Sequence, residues 1–194
     1  MPIIKVPADM TIITLRSNGK DQQQRFMTEY AKSLLDAANT LLRQRAEIEF
    51  GLGTSETVVE EMPQGTSSDV VDEAGYHFLA AAHRPGPGVR VLLVDSVSKE
   101  EVGGQSREQT RVCLIAYRKD VGELSRMLAH EFGHLLGLPH PDRPANSGPG
   151  NEKVMADWSR NLMHAGSLNP DALLTPAQVK LARSSNLAGR FGGG

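Results

Sequence analysis

The chain reads as an α/β (α+β) fold, a mixed and mostly parallel twisted sheet with helices, and three observations predict it. Short β-branched runs alternate with segments of helical periodicity, the order that parallel strands joined by helices require. Val89–Val94 (VRVLLV) is apolar almost throughout, as a strand covered on both faces is. A chain of 194 residues, 39% apolar and 23% charged, can bury the core of one domain. A single domain is therefore expected over 1–194, with 189–194 as a flexible tail.

Each element has its own signal. Residues 10–16 (MTIITLR) are short and β-branched, and 17–19 turn after them. Asp21 and Gln24 have capping-box spacing. Phe26, Tyr30, Leu34, Ala38 and Leu41 then form one apolar ridge of a long amphipathic N-terminal helix that ends near Arg45. Residues 46–52 and 57–59 read as strand pieces broken by Gly51 and Gly53, and 75–83 as a short helix. Residues 111–117 (RVCLIAY) make another buried strand. Residues 120–136 are the best-specified helix, with Asp120 and Glu123 as a capping box, an apolar stripe through Leu124, Met127 or Leu128, Phe132 and Leu135, Gly137 as its end, and Pro139 forbidding continuation. A last helix starts at Thr175, with Pro176 at its first position and Gln178 closing a Thr-x-x-Gln box.

Composition narrows the function classes. The net charge is −2, so no basic excess points to nucleic acid. No run approaches the roughly 18 apolar residues of a membrane span. Residues 1–10 show no basic segment followed by a long apolar run, so no secretory signal is read, and a cytoplasmic protein or export by a signal-independent route is expected. Cys113 is the sole cysteine, which leaves no intrachain disulfide and no cysteine-based zinc cluster.

The chemistry concentrates in residues 130–140, HEFGHLLGLPH. His130 and His134 are four apart on a helix and therefore share a face. Two imidazoles held that way can bind one metal ion. Gly137 lets the chain leave the helix sharply, so His140 can return as a third ligand. Three nitrogen ligands with an open fourth position is how a catalytic zinc site is built. Such an ion lowers the pKa of a water and polarises a carbonyl oxygen. Glu131, next to His130 and turned about 100° around the helix, is placed to take the proton. With 6 His, 13 Glu and 19 Gly in the chain, a chance match to HExxHxxGxxH is on the order of 4 in 100,000.

This segment resembles the zinc signature of the metzincin clan of metallopeptidases. The resemblance implies a zinc-dependent endopeptidase with one catalytic zinc ion, ligands His130, His134 and His140, Glu131 as general base, and a protein or peptide substrate. It also implies a methionine-containing turn beneath the metal. Residues 161–164 (NLMH) fit that turn, making Met163 the support residue, with Met155 as competitor. Astacin-like and serralysin-like members carry a Tyr two residues after that Met. Here the position is Ala165, so the chain looks closer to the matrixin-like and pappalysin-like branches. The archaemetzincin branch adds four cysteines after the signature, which a chain with one cysteine excludes. Calcium is not supported, for want of an Asp/Asn/Gly ladder. Any protein inhibitor is unknown.

Lesser candidates complete the reading. In the clan an edge strand aligns the substrate backbone, a role open to residues 102–106 or, equally, a plain loop. Asp142 and Asp157 could accept from a zinc-bound imidazole, although a solvated loop carboxylate is the favoured reading of each. His164 is expected to be structural or to line the pocket, and His77 and His83 to lie on the surface. Two alternatives stay open. One is a zinc-binding pseudoenzyme or interaction module, against which Glu131 argues. The other is a toxin-type effector peptidase with a narrow target.

Overall fold

The computed structural model describes residues 2–17, 19–21, 25–63, 71–97, 103–140, 160–164 and 172–192. Its strands are β1 (Ile4–Ser17), β2 (Lys20–Asp21), β3 (Ile48–Glu61), β4 (Val89–Val94), β5 (Gly104–Arg107) and β6 (Val112–Ala116). Its helices are α1 (Thr28–Ala46), α2 (Glu73–Ala82), α3 (Val121–Leu135), α4 (Pro176–Arg183) and α5 (Asn186–Phe191). β1 pairs in parallel with both β3 and β4, and β4 in parallel with β6. β5 runs antiparallel to β6, and β2 folds back antiparallel on the end of β1. The expected mixed, mostly parallel sheet with a long early helix and a later helix leading to the site is thus formed.

Alternation explains the continuous apolar strands. Val89, Val91 and Leu93 of β4 and Cys113 and Ile115 of β6 join the core beneath α1 and α3. Leu92 and Val94, with Val112, Leu114 and Ala116, face the other way into a second core under α2. Each run is apolar because both of its faces are covered. Phe50 of β3 stacks on Phe132 of α3, with ring centroids 3.8 Å apart, and fixes the site helix against the sheet. Among the described residues, no helix is long and apolar enough to cross a membrane.

Several boundaries differ from the sequence reading. β1 begins at Ile4, six residues earlier than expected, because Ile4–Ala8 finds a partner in Ile48–Leu52. β3 is one strand and not two pieces. Gly51 and Gly53 lie within it, and a register shift opposite residues 8–10 absorbs the irregularity. The capping box at Asp21 does not start α1. Asp21 sits in β2 and pairs with Arg16, while α1 starts after Met27 with no side-chain cap. Gln24 lies outside the described residues. At the other end of α1, Glu47 adopts a left-handed conformation (φ 55°), and Arg183 of α4 donates to the Ala46 carbonyl at 3.0 Å, satisfying an end group the helix itself cannot. The expected tail is helical at its start, since α5 continues through Phe191.

Candidate metal centre

The site is assembled on α3. Asp120 caps the helix, its carboxylate accepting from the Glu123 N–H at 2.9 Å, as the sequence predicts. The helix ends at Leu135. Gly137 takes φ +76°, and the Leu138 N–H returns to the Gly133 carbonyl at 2.9 Å. That reversal brings His140 back over the helix face carrying His130 and His134.

The three Nε2 atoms form a nearly equilateral triangle. His130 to His134 and His130 to His140 are each 3.1 Å, and His134 to His140 is 3.0 Å. The other ring nitrogens decide what this means. His130 Nδ1 lies 2.7 Å from the Leu162 carbonyl and His134 Nδ1 lies 2.8 Å from the Leu138 carbonyl. A carbonyl only accepts, so both Nδ1 atoms carry a proton, and in the neutral ring each Nε2 then presents a lone pair. Burial, with His134 adding to it, pushes the His130 pKa down to about 4, so this ring is neutral at pH 7. Neutral Nε2 atoms that point lone pairs at one another from 3 Å have no hydrogen bond to make; they suit a shared cation. Nitrogens about 2.0–2.1 Å from a tetrahedral zinc would be about 3.3 Å apart, close to what is observed. Among the described residues these histidines are the one group of metal-ligating side chains so gathered.

Glu131 is buried beside the triad. Ser106 of β5 donates its hydroxyl to Glu131 Oε2 at 2.5 Å. Burial pushes the carboxyl up to about 7, against the Ser106 bond, which pulls it down. A group with that pKa can accept and return a proton near neutrality. Gly104 leaves room for it: a Cβ there would lie 2.8 Å from Glu131 Cγ and 2.9 Å from Oε1. β5 is therefore a sheet strand, not a loop, and its inner face touches the carboxyl. Its outer face is held by α2, where Gln105 and Arg107 both pair with Glu73. Val102 lies outside the described residues.

Met163 is fully buried below the helix, and a side chain at Gly133 would overlap its sulfur. The Met163 N–H is held by Asn161 Oδ1 at 2.8 Å. His164 follows in the same turn, half-buried, its N–H bonded to the Asn161 carbonyl at 3.0 Å. His77 is exposed and pairs with Glu73. His83, expected on the surface, is instead largely buried against Glu60 at 2.9 Å. Asp142, Met155, Asp157 and Ala165 lie outside the described residues. Cys113 is buried in β6, where burial pushes its thiol well above the usual range. The sequence reading placed Gly104 and Ser106 in a candidate substrate strand and Asn161 in the methionine turn, but it missed the contacts of Gly104 and Ser106 with Glu131, the hold of Asn161 on Met163, and Gly133 altogether. Only Gly133, between the two histidines of HEFGH, carried a readable hint: a glycine inside an otherwise well-formed helix needs a packing reason.

No protein-family model matches the chain, and no curated protein matches it by sequence. Solved structures do match its fold. One is archaemetzincin from Methanopyrus kandleri, with a TM-score of 0.55 and 12% identity, covering 91% of this chain and 93% of that one. The fold is thus shared nearly end to end with a metzincin. It is shared with the very branch that the cysteine count argues against. At 12% identity a fold persists without its neighbour's residues, and closeness to the matrixin-like or pappalysin-like branches is not shown.

Proposed function

We propose that this chain is a zinc-dependent endopeptidase of metzincin type, with one ion held by Nε2 of His130, His134 and His140. The single observation that carries the reading is the triangle of three imidazole Nε2 atoms beside a buried carboxyl that burial pushes up to about 7. A bound zinc would supply Lewis acidity to a carbonyl oxygen and to water. The chain's own residues do the rest. Glu131 accepts a proton from the attacking water and delivers it to the leaving amine. Ser106 holds that carboxyl in place. Met163 fills the space beneath the helix and keeps the ligand face level. Gly104–Arg107 offers an extended backbone along which a peptide can add as a further strand. Ala165, in place of a Tyr ligand, supports the branches in which histidines alone hold the ion.

The test is a digest of a proteome-derived peptide library by the purified chain, with and without chelator, alongside zinc analysis of His134→Ala. Cleavage that chelator abolishes, with zinc lost from the variant, is the expected result. Zinc retained in both His134→Ala and His140→Ala overturns the ligand set. Zinc bound without cleavage anywhere in the library moves the reading to a binding module or a narrow-target effector.

A further inference from the structure

We infer that Asn161 and Gln178 form a positioning pair that sets the His130 ring, and with it the zinc affinity of the site; the inference rests on the ligand set proposed above. It starts from a bonding constraint. Asn161 is buried, so each polar atom of its amide needs a partner. The Met163 N–H can be met only by an oxygen, which fixes Oδ1 on that side. Nδ2 is then turned to Gln178 Oε1, at 3.0 Å. That same Oε1 accepts from the Thr175 N–H at 3.0 Å, so the Gln178 amide cannot flip either. Its Nε2 donates back to Asn161 Oδ1 at 3.2 Å. Reversing either amide would set donor against donor and acceptor against acceptor, so the arrangement has one satisfied state.

The consequence runs toward the metal side. Residues 160–164 lie beside Leu173, which receives the Leu162 N–H at 2.8 Å and donates to the Arg160 carbonyl at 2.6 Å. These bonds leave the Leu162 carbonyl pointing at His130 Nδ1, 2.7 Å away. The Asn161 side chain braces the turn from within, and Gln178 braces Asn161 from the first turn of α4. Partners one bond removed from a metal-bound imidazole typically govern its affinity 10–100-fold. This pair stands one step further out.

Gln178 also closes the capping box of α4, so a plain loss of helix stability must be separated from a loss of aim. Thr175 provides the control, because its hydroxyl accepts the Gln178 N–H at 3.0 Å in the same box without touching Asn161. Zinc dissociation constants of the full chain are measured by competition with a chromophoric chelator, and metal-free thermal unfolding is recorded on the same samples. Gln178→Ala and Asn161→Ala are expected to bind zinc about tenfold more weakly, the low end for such partners. Thr175→Ala is expected to melt as low as Gln178→Ala yet keep the native affinity. Should Asn161→Ala fail to fold, Gln178→Ala against Thr175→Ala decides alone. Equal weakening in all three variants, or native affinity in Gln178→Ala, overturns the pair as a positioning device. A native chain that binds no zinc overturns the ligand set, and this inference with it.

Discussion

The α3 side of the site and the wall facing it are built in different ways. On the α3 side, Glu131 and all three histidines come from eleven consecutive residues, and the local devices that place them are the Asp120 cap and the Gly137 reversal. The facing wall is gathered from three distant places: Ser106 on β5, the turn at 160–164, and Gln178 on α4. In the proposed reading the first side carries the groups that bind and transfer, and the second carries groups that hold them in position. Substitutions on the α3 side are then expected to remove function by orders of magnitude, and those on the facing wall to degrade it by factors.

The largest effect is expected from Glu131→Gln. The amide keeps the size of the side chain but cannot take a proton. Peptide cleavage should fall by about 10²–10⁴-fold with zinc content unchanged. A native rate in this variant would show that the base lies elsewhere and would break the comparison outright.

The same substitution reads the cost of burying the carboxyl. Its folded pKa, about 7, lies above its ordinary value of 4.5. Raised in the folded state, the group burdens stability only once it must ionise. The burden is absent below about pH 4.5, grows as pH rises, and is complete above 7. In chelator-treated protein, native and Glu131→Gln should therefore be equally stable at pH 4.5, and the variant more stable by about 3 kcal/mol at pH 8. Denaturant melts across that range measure it. A difference that shrinks with rising pH has the wrong sign for a buried carboxyl.

Gly137→Val tests the reversal. At φ +76° a β-branched residue costs about 1–3 kcal/mol, and relaxing the turn carries His140 away from the triangle. Zinc titration should show weakened binding and the digest lower turnover. Native values would show that the turn does not place His140.

The smallest effect belongs to the facing wall. Ser106→Ala removes the hydroxyl that steadies the ionised form of Glu131. The carboxyl pKa should rise further, moving the acid limb of cleavage upward and lowering the rate at pH 7 by about tenfold or less. A loss as large as that of Glu131→Gln would place Ser106 among the groups that do the chemistry and would erase the division between the two walls.

The two walls also differ in how far the sequence shows them. α3, its cap, its glycine end and the Thr175–Gln178 box are each specified by residues within four positions of one another, so they are legible in one dimension. The start of α1 is not. It follows Met27 without a cap, and Asp21, which mimics one, serves β2. β3 is hidden for a related reason. Its middle, 53–57, is exposed and carries no large apolar side chain, and it is a strand only because β1 lies beside it. Ser106 and Asn161 fall in segments the sequence points to, but nothing local marks their bonds to Glu131 and Met163, and Gln178 carries no mark of the site at all. Gln178 reads as a capping residue, which it is, and nothing in the sequence announces that its amide has a second partner.

The eleven-residue span of the ligands bears on the order in which the protein is made. Loop closure costs less when the ends are near in the chain, and the reversal from His134 to His140 spans very few residues. On a ribosome, residue 140 emerges ahead of Asn161 and Gln178. The nitrogens can therefore meet once α3 forms and packs, before the turn that steadies His130 has emerged. An ion captured then would contribute its binding energy to an incomplete chain, as metal binding does wherever ligands come together on folding. The brace from α4 would arrive last, closing around a centre already filled.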